Sequence, residues 1–162
     1  MKLPGHLARQ QGVWKGTWRS YDHDSLLQET FEGWVVPRFI ERDGVICLEQ
    51  TNHYPSRGGA RQTIESSGEY RDGRIVFANE RAEGWSERLS GDPTGRGSVI
   101  VINYRDGSCL YEIVTTSDDG RRRTRSVQFI RDGRLLRRTL IDEEKVSDDW
   151  QPFLERLRAS SS

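Results

Sequence analysis

Residues 12–18 read Gly12-Val13-Trp14-Lys15-Gly16-Thr17-Trp18, or GVWKGTW. Two tryptophans and two glycines each recur at a spacing of four. In a strand, Trp14, Gly16, Trp18 and Ser20 share one face, and Val13, Lys15, Thr17, Arg19 and Tyr21 share the other. Rings separated by glycine suit the inside of a small barrel, because glycine lets a strand bend and lets a neighbouring ring cross it.

The rest of the chain carries the punctuation of a meander. Asp-Gly recurs in ERDGV (41–45), YRDGR (70–74), YRDGS (104–108), SDDGR (117–121) and IRDGR (130–134). Asp-Gly between alternating segments is a hairpin signal, since a type I′ turn needs positive φ at both central residues. Strands are predicted at about 12–21, 27–40, 45–54, 61–70, 74–80, 84–90, 97–104, 109–117, 122–130 and 134–142. The irregular spacing excludes a propeller or solenoid repeat.

The fold class is therefore all-β, a single antiparallel up-and-down barrel of about 8–10 strands, whose closure removes the exposed edges of an open sheet. Only the ends read as helical: residues 4–11, and about 147–158. Ser147 is the expected N-cap of the second helix, and Trp150, Phe153, Leu154 and Leu157 form its apolar stripe. That helix packs on the barrel or closes one end. The length of 162 residues fits one domain, 1–162.

Composition narrows the function classes. Hydrophobic residues make up 33%, yet Trp, Tyr and Phe number 5 each, so the apolar mass is concentrated in rings. The 25 basic and 25 acidic residues balance, which argues against nucleic-acid and membrane-surface binding. No segment reads as a membrane span or a signal peptide, so a cytoplasmic protein is expected. Cys47 and Cys109 sit in apolar runs and read as reduced thiols; no Cys/His cluster suggests a metal. The basic DGRRRTRS (119–126) reads as a solvated strand end, and SGDPTGRG (90–97) as a plain loop without the Lys-Ser/Thr ending of a phosphate cradle.

A short helix followed by Gly12-Val13-Trp14 resembles the opening of the lipocalin and calycin superfamily. More narrowly, GVWKGTWRSYDHDS resembles an uncharacterised bacterial and cyanobacterial calycin family of the G-x-W-x-G-x-[FW] type. That family is grouped with the phycobiliprotein lyases, which hold open-chain tetrapyrroles. The resemblance implies that Trp14 plugs the closed end of the barrel under an arginine of the last strand, here Arg137 or Arg138. Haem-binding relatives need a late histidine. His6, His23 and His53 are all early, so haem is disfavoured and no cofactor is expected.

The inward face is expected to be ringed and polar, with Trp18, Trp34, Gln50, Asn52, Tyr54, Trp85, Tyr104, Tyr111 and Gln128 as the ligand-binding candidates. For acid–base chemistry the strands offer Glu112, Glu49, His53 and Glu87; an outward, ion-paired Glu112 is the commoner arrangement. The leading reading is a barrel that binds a small lipophilic or aromatic molecule. One alternative is a cofactor-independent isomerase, cyclase or lyase of secondary metabolism. The other is a packed barrel serving as a protein-interaction module, and a homodimer is left open.

Overall fold

The computed structural model describes residues 3–160. Its order is α1 (Gly5–Gln10), β1 (Val13–Tyr21), β2 (Leu27–Arg42), β3 (Val45–Arg57), β4 (Ala60–Arg71), β5 (Arg74–Ala78), β6 (Ala82–Arg88), β7 (Gly97–Tyr104), β8 (Ser108–Thr116), β9 (Arg122–Arg131), β10 (Arg134–Ser147) and α2 (Gln151–Ala159). Each strand pairs antiparallel with its neighbours in sequence, and β1 pairs with β10 to close the barrel.

The turns explain the meander. Asp43-Gly44, Asp72-Gly73 and Asp132-Gly133 have positive φ at both residues, the type I′ geometry that matches strand twist. Two of the five Asp-Gly turns are of another kind. At Asp106-Gly107 and Asp119-Gly120 only the glycine has positive φ. Between β7 and β8 three residues intervene, and the Asp106 carboxylate accepts from the Ser108 backbone N–H (3.0 Å) and hydroxyl (2.5 Å). Gly58-Gly59 supplies a further tight turn that carries no Asp-Gly signal.

The faces of β1 are as the alternation predicts. Trp14 and Trp18 lie in an interior cluster with Phe31, Val35, Tyr54 and Ile141. Gly16 is required there: a Cβ would stand 2.6 Å from Glu143 Cγ and 2.7 Å from the Asp142 carbonyl. A second interior cluster joins Leu7 of α1 to Phe39, Leu48 and Ile75. Helix α1 lies across the end where β1 begins and β10 finishes. Its Gln10 carbonyl accepts from Trp14 Nε1 (2.8 Å), and its Arg9 carbonyl accepts from Lys145 Nζ (3.1 Å).

Helix α2 covers the outside of the barrel. Leu154 is buried with Val13 and Val36, and Trp34, Trp150, Phe153 and Leu157 pack around them. The predicted start at 147 is four residues early. Ser147 still belongs to β10, paired with Val13, and the Asp149 carboxylate accepts from the Gln151 N–H instead. Both cysteines are free thiols.

Candidate functional site

The interior is not filled. A cavity of about 490 Å³ runs between the two interior clusters, with walls contributed by Trp18, Phe31, Leu48, Tyr54, Ile75 and Phe77, among others. Helix α1 closes one end. At the opposite end, at the tips of the hairpins, Arg57, Asn79, Arg81, Tyr104 and Arg137 line the cavity.

The aromatic wall comes from β1, β2 and β3. Trp18 stacks on Phe31 at 5.7 Å, and Tyr54 meets both edge-on, at 5.3 and 5.4 Å. Gly33 makes this possible, since a Cβ there would stand 2.5 Å from the Tyr54 ring. Along β3 the polar residues satisfy one another. Gln50 Nε2 donates to Asn52 Oδ1 (3.0 Å), and Asn52 is hydrogen-bonded to the Tyr54 hydroxyl. Burial pushes the Tyr54 phenol above its ordinary pKa.

Across the barrel, β8, β9 and β10 carry a buried charge network. Arg125 donates through Nε to Glu112, and its Nη1 lies 3.6 Å from Glu143 Oε1. Arg123 forks onto Glu143 through Nε and Nη2, the latter at 3.0 Å, and its Nη1 donates to Gln10 Oε1 (3.1 Å). Burial opposes the Glu143 charge, but the guanidinium groups of Arg123 and Arg125 outweigh it and hold the carboxyl below its usual range. Forked, hydrogen-bonded geometry is what a desolvated pair requires.

This network corrects two expectations. DGRRRTRS is not simply a solvated strand end: in the β-alternation Arg123 and Arg125 turn inward while Arg122 and Thr124 face solvent. The arginine over the plug is Arg123 of β9, with its guanidinium carbon 4.3 Å from the Trp14 ring centre, and neither Arg137 nor Arg138. Lys145 adds a second cation at 5.0 Å. The position follows from the register. Arg123 pairs with Glu143, two residues along β10 from Lys145, the partner of Trp14, whereas Arg137 and Arg138 lie at the other end of β10.

Of the ligand-binding candidates, Trp18, Gln50, Asn52, Tyr54 and Tyr104 line the cavity. Trp34, Trp85, Tyr111 and Gln128 face outward. Trp34 stacks on Phe153 of α2 at 6.2 Å. Trp85 lies under the Arg74 guanidinium at 5.1 Å, and Tyr111 and Gln128 are register partners on the exposed outer wall. One residue of register decides the face of every side chain, and composition does not fix it.

Among the acid–base candidates, Glu112 is inward and buried. Glu49 and His53 are outward. Glu49 accepts from Arg38 Nε (3.1 Å), and His53 meets Thr63 Oγ1 (3.1 Å) and the Trp34 ring. Glu87 pairs with Arg74 (2.6 Å) and also borders the cavity. The loop 90–97 is held by Asp92, whose carboxylate accepts from the Thr94 hydroxyl and from the N–H groups of Gly97, Thr94 and Arg96, which together depress its pKa. The sequence reading missed the inward arginines. The signal was present as arginine at alternate positions in a strand that also carries Val127.

Among the described residues no group of three or more potential ligands is placed to hold a metal ion, and no helix is long and apolar enough to cross a membrane.

No family model matches the chain, and no curated protein matches it by sequence. Its barrel is similar to that of several solved structures, including the following two. One is a protein of unknown function from the DUF3598 family of Nostoc punctiforme PCC 73102, at 16% identity and a TM-score of 0.67, covering 86% of this chain and 49% of that one. This chain thus spans about half the length of that protein. The other is the S-type phycobiliprotein lyase CPES from Guillardia theta, at 13% identity and a TM-score of 0.62, covering 86% of this chain and 89% of that one. The shared feature is the barrel fold.

Proposed function

We propose that the barrel binds one small, elongated, lipophilic or aromatic molecule in its cavity. The observation that carries this reading is the unfilled interior of about 490 Å³, a volume within the range of small-molecule sites. Its walls have the chemistry such a site needs. Trp18, Phe31 and Phe77 offer flat apolar surface, while the Gln50–Asn52–Tyr54 ladder and Glu112 with Arg125 offer orienting groups on opposite walls. Likeness to a phycobiliprotein lyase is consistent with a conjugated ligand. A packed interaction module would need this volume filled.

The test is titration with 1-anilinonaphthalene-8-sulfonate and with neutral Nile red, read by dye and tryptophan fluorescence. Saturable binding at about micromolar dissociation constants is expected, worth about −8 kcal/mol. Ser86 lines the cavity on β6, so Ser86→Phe places a ring in the space. It should weaken both dyes at least tenfold while the protein melts like the parent. Dyes that do not saturate, or bind Ser86→Phe equally well, would overturn the reading.

One observation favours an enzymatic version of the same site: Glu112 is a buried carboxylate that borders the cavity, with Arg125 fixing it. In a cofactor-independent isomerase, cyclase or lyase it would take or give a proton, with the cavity shaping the substrate. Glu112→Gln would then abolish turnover in a protein that far-UV circular dichroism shows to be folded.

A further inference from the structure

The barrel closes, but not along its whole height. β4 runs from Ala60 to Arg71, yet it pairs with β5 only at Glu69–Val76, Tyr70–Ile75 and Arg71–Arg74. Gly68 still lies against Val76 and Phe77 of β5, but from Ser67 to Ala60 the far edge pairs with no strand. The split is visible from both sides: Ser66, Ser67 and Asn79 border the interior cavity and also an outer groove of about 310 Å³.

Which backbone groups lie on the free edge follows from the turns. The Asp43-Gly44 turn makes Arg42–Val45 a hydrogen-bonded pair, so in the alternation of β2 with β3 the odd residues of β3 bond to β2. The even residues Leu48, Gln50, Asn52 and Tyr54 then bond to Gly68, Ser66, Ile64 and Gln62 of β4. The Asp72-Gly73 turn gives the same parity, since Arg71–Arg74 and Glu69–Val76 are the bonded pairs on the other side. The N–H and C=O groups of Arg61, Thr63, Glu65 and Ser67 therefore point away from β3 along the open edge.

Such an edge is a template for another strand unless something blunts it. Here nothing does. Residues 60–68 contain no proline and no lysine, β4 pairs with β3 without a shift from Glu69 to Gln62, and residues 60–67 are exposed throughout. Its charges are arranged for a two-fold partner. When two copies of β4 pair antiparallel about Thr63, Arg61 of each stands opposite Glu65 of the other, and Gln62 opposite Ile64. The facing positions Arg61, Thr63 and Glu65 are the ones with free backbone groups, and opposite charges across strands are favourable. Both side chains are already held on the outer face. Arg61 Nη1 donates to the Ser160 carbonyl (2.9 Å), and Glu65 accepts from Thr51 Oγ1 (2.8 Å). Ile64, 46% exposed, would be covered by the second copy.

We infer that the open edge of β4 is a self-association site, at which a second copy of this chain adds its own β4 antiparallel about Thr63 to form a two-fold dimer. The contact is small, so the dimer is a weak one.

Sedimentation velocity of the full chain from about 2 to 200 µM tests this. The parent should shift from monomer to dimer across that range. Thr63→Pro removes a central donor and should leave only monomer. Arg61→Glu and Glu65→Arg should each weaken the dimer at least tenfold by setting like charges face to face, and the double variant Arg61→Glu/Glu65→Arg should restore it to within about threefold of the parent. Far-UV circular dichroism melts identify any variant that fails to fold, and the exposed charge swap keeps the test sound if Thr63→Pro does. A parent that stays monomeric throughout, a dimer indifferent to Thr63→Pro, or a double variant no better than the singles would overturn the assignment. Pairing of this edge with a different extended peptide would appear as a monomeric parent and would overturn it equally.

Discussion

Replacing Trp14 tests the closed end most directly. The side chain is completely buried, its Nε1 donates to the Gln10 carbonyl at 2.8 Å, and the charged groups of Arg123 and Lys145 lie 4.3 and 5.0 Å from its ring centre. Truncation of a buried aromatic to Ala costs about 3–5 kcal/mol. The lost hydrogen bond contributes about 1 kcal/mol and each desolvated cation contact about 1–2 kcal/mol. These contributions are coupled, because Arg123 also binds Gln10 and Glu143, so the total for Trp14→Ala is about 5 kcal/mol instead of their sum. That approaches the whole stability of an ordinary domain. At about 2–4 °C per kcal/mol for a chain of this size, the melting temperature falls by about 10–20 °C. Trp14→Phe keeps a ring but loses the N–H donor and part of the π surface, at about 2–3 kcal/mol, or about 5–10 °C. Thermal and urea unfolding followed by far-UV circular dichroism give both values without relying on tryptophan emission. A Phe variant melting within about 1 °C of the parent, or an Ala variant within about 3 °C, would refute the account of Trp14 as the plug.

Glu143→Gln leaves Arg123 unpaired in a buried site and Arg125 with Glu112 alone; unfolding in urea should show a loss of about 3–5 kcal/mol. Acid should destabilise the parent in order of pKa. His6 and His53 have lowered folded pKa values, chiefly from burial, so stability they support is present above 6.5 and declines as pH falls through it. Glu143 is also depressed in the folded state, so its contribution is present above the unfolded value near 4.5 and is lost as pH falls below it. Melting temperature against pH should show the lower step in the parent and a smaller one in Glu143→Gln. Gly33→Ala should cost about 1–3 kcal/mol, since the new methyl meets the Tyr54 ring at 2.5 Å; a calorimetric melt unchanged from the parent would refute that close approach.

The split in the barrel and the cavity reading bear on one another. Ser66, Ser67 and Asn79 border both the interior and the outer groove, so a second β4 laid on the open edge would also cover the side of the cavity. Dye binding compared at about 2 and 200 µM protein in the parent and in Arg61→Glu separates the two proposals, because Arg61→Glu weakens the dimer at a residue outside the cavity lining, whereas Ser86→Phe acts in the interior.

Local chemistry determined the meander. Asp-Gly at positive φ, alternation in β1 and the ring–glycine pattern of GVWKGTW are written in adjacent residues, so they specified an antiparallel barrel with Trp14, Gly16 and Trp18 inside. The apolar stripe of α2 was equally legible, because its spacing is intrinsic to a helix. Tertiary structure decided what depends on register between strands. Trp34, Trp85, Tyr111 and Gln128 have the composition of a cavity wall and lie outside it, since a shift of one residue exchanges the faces. It decided equally that Arg123, Arg125, Glu112 and Glu143, which read as surface charges, converge in the interior. Each is tolerable there only because its partner arrives from a different strand, and no single segment of the sequence contains both halves of such a pair.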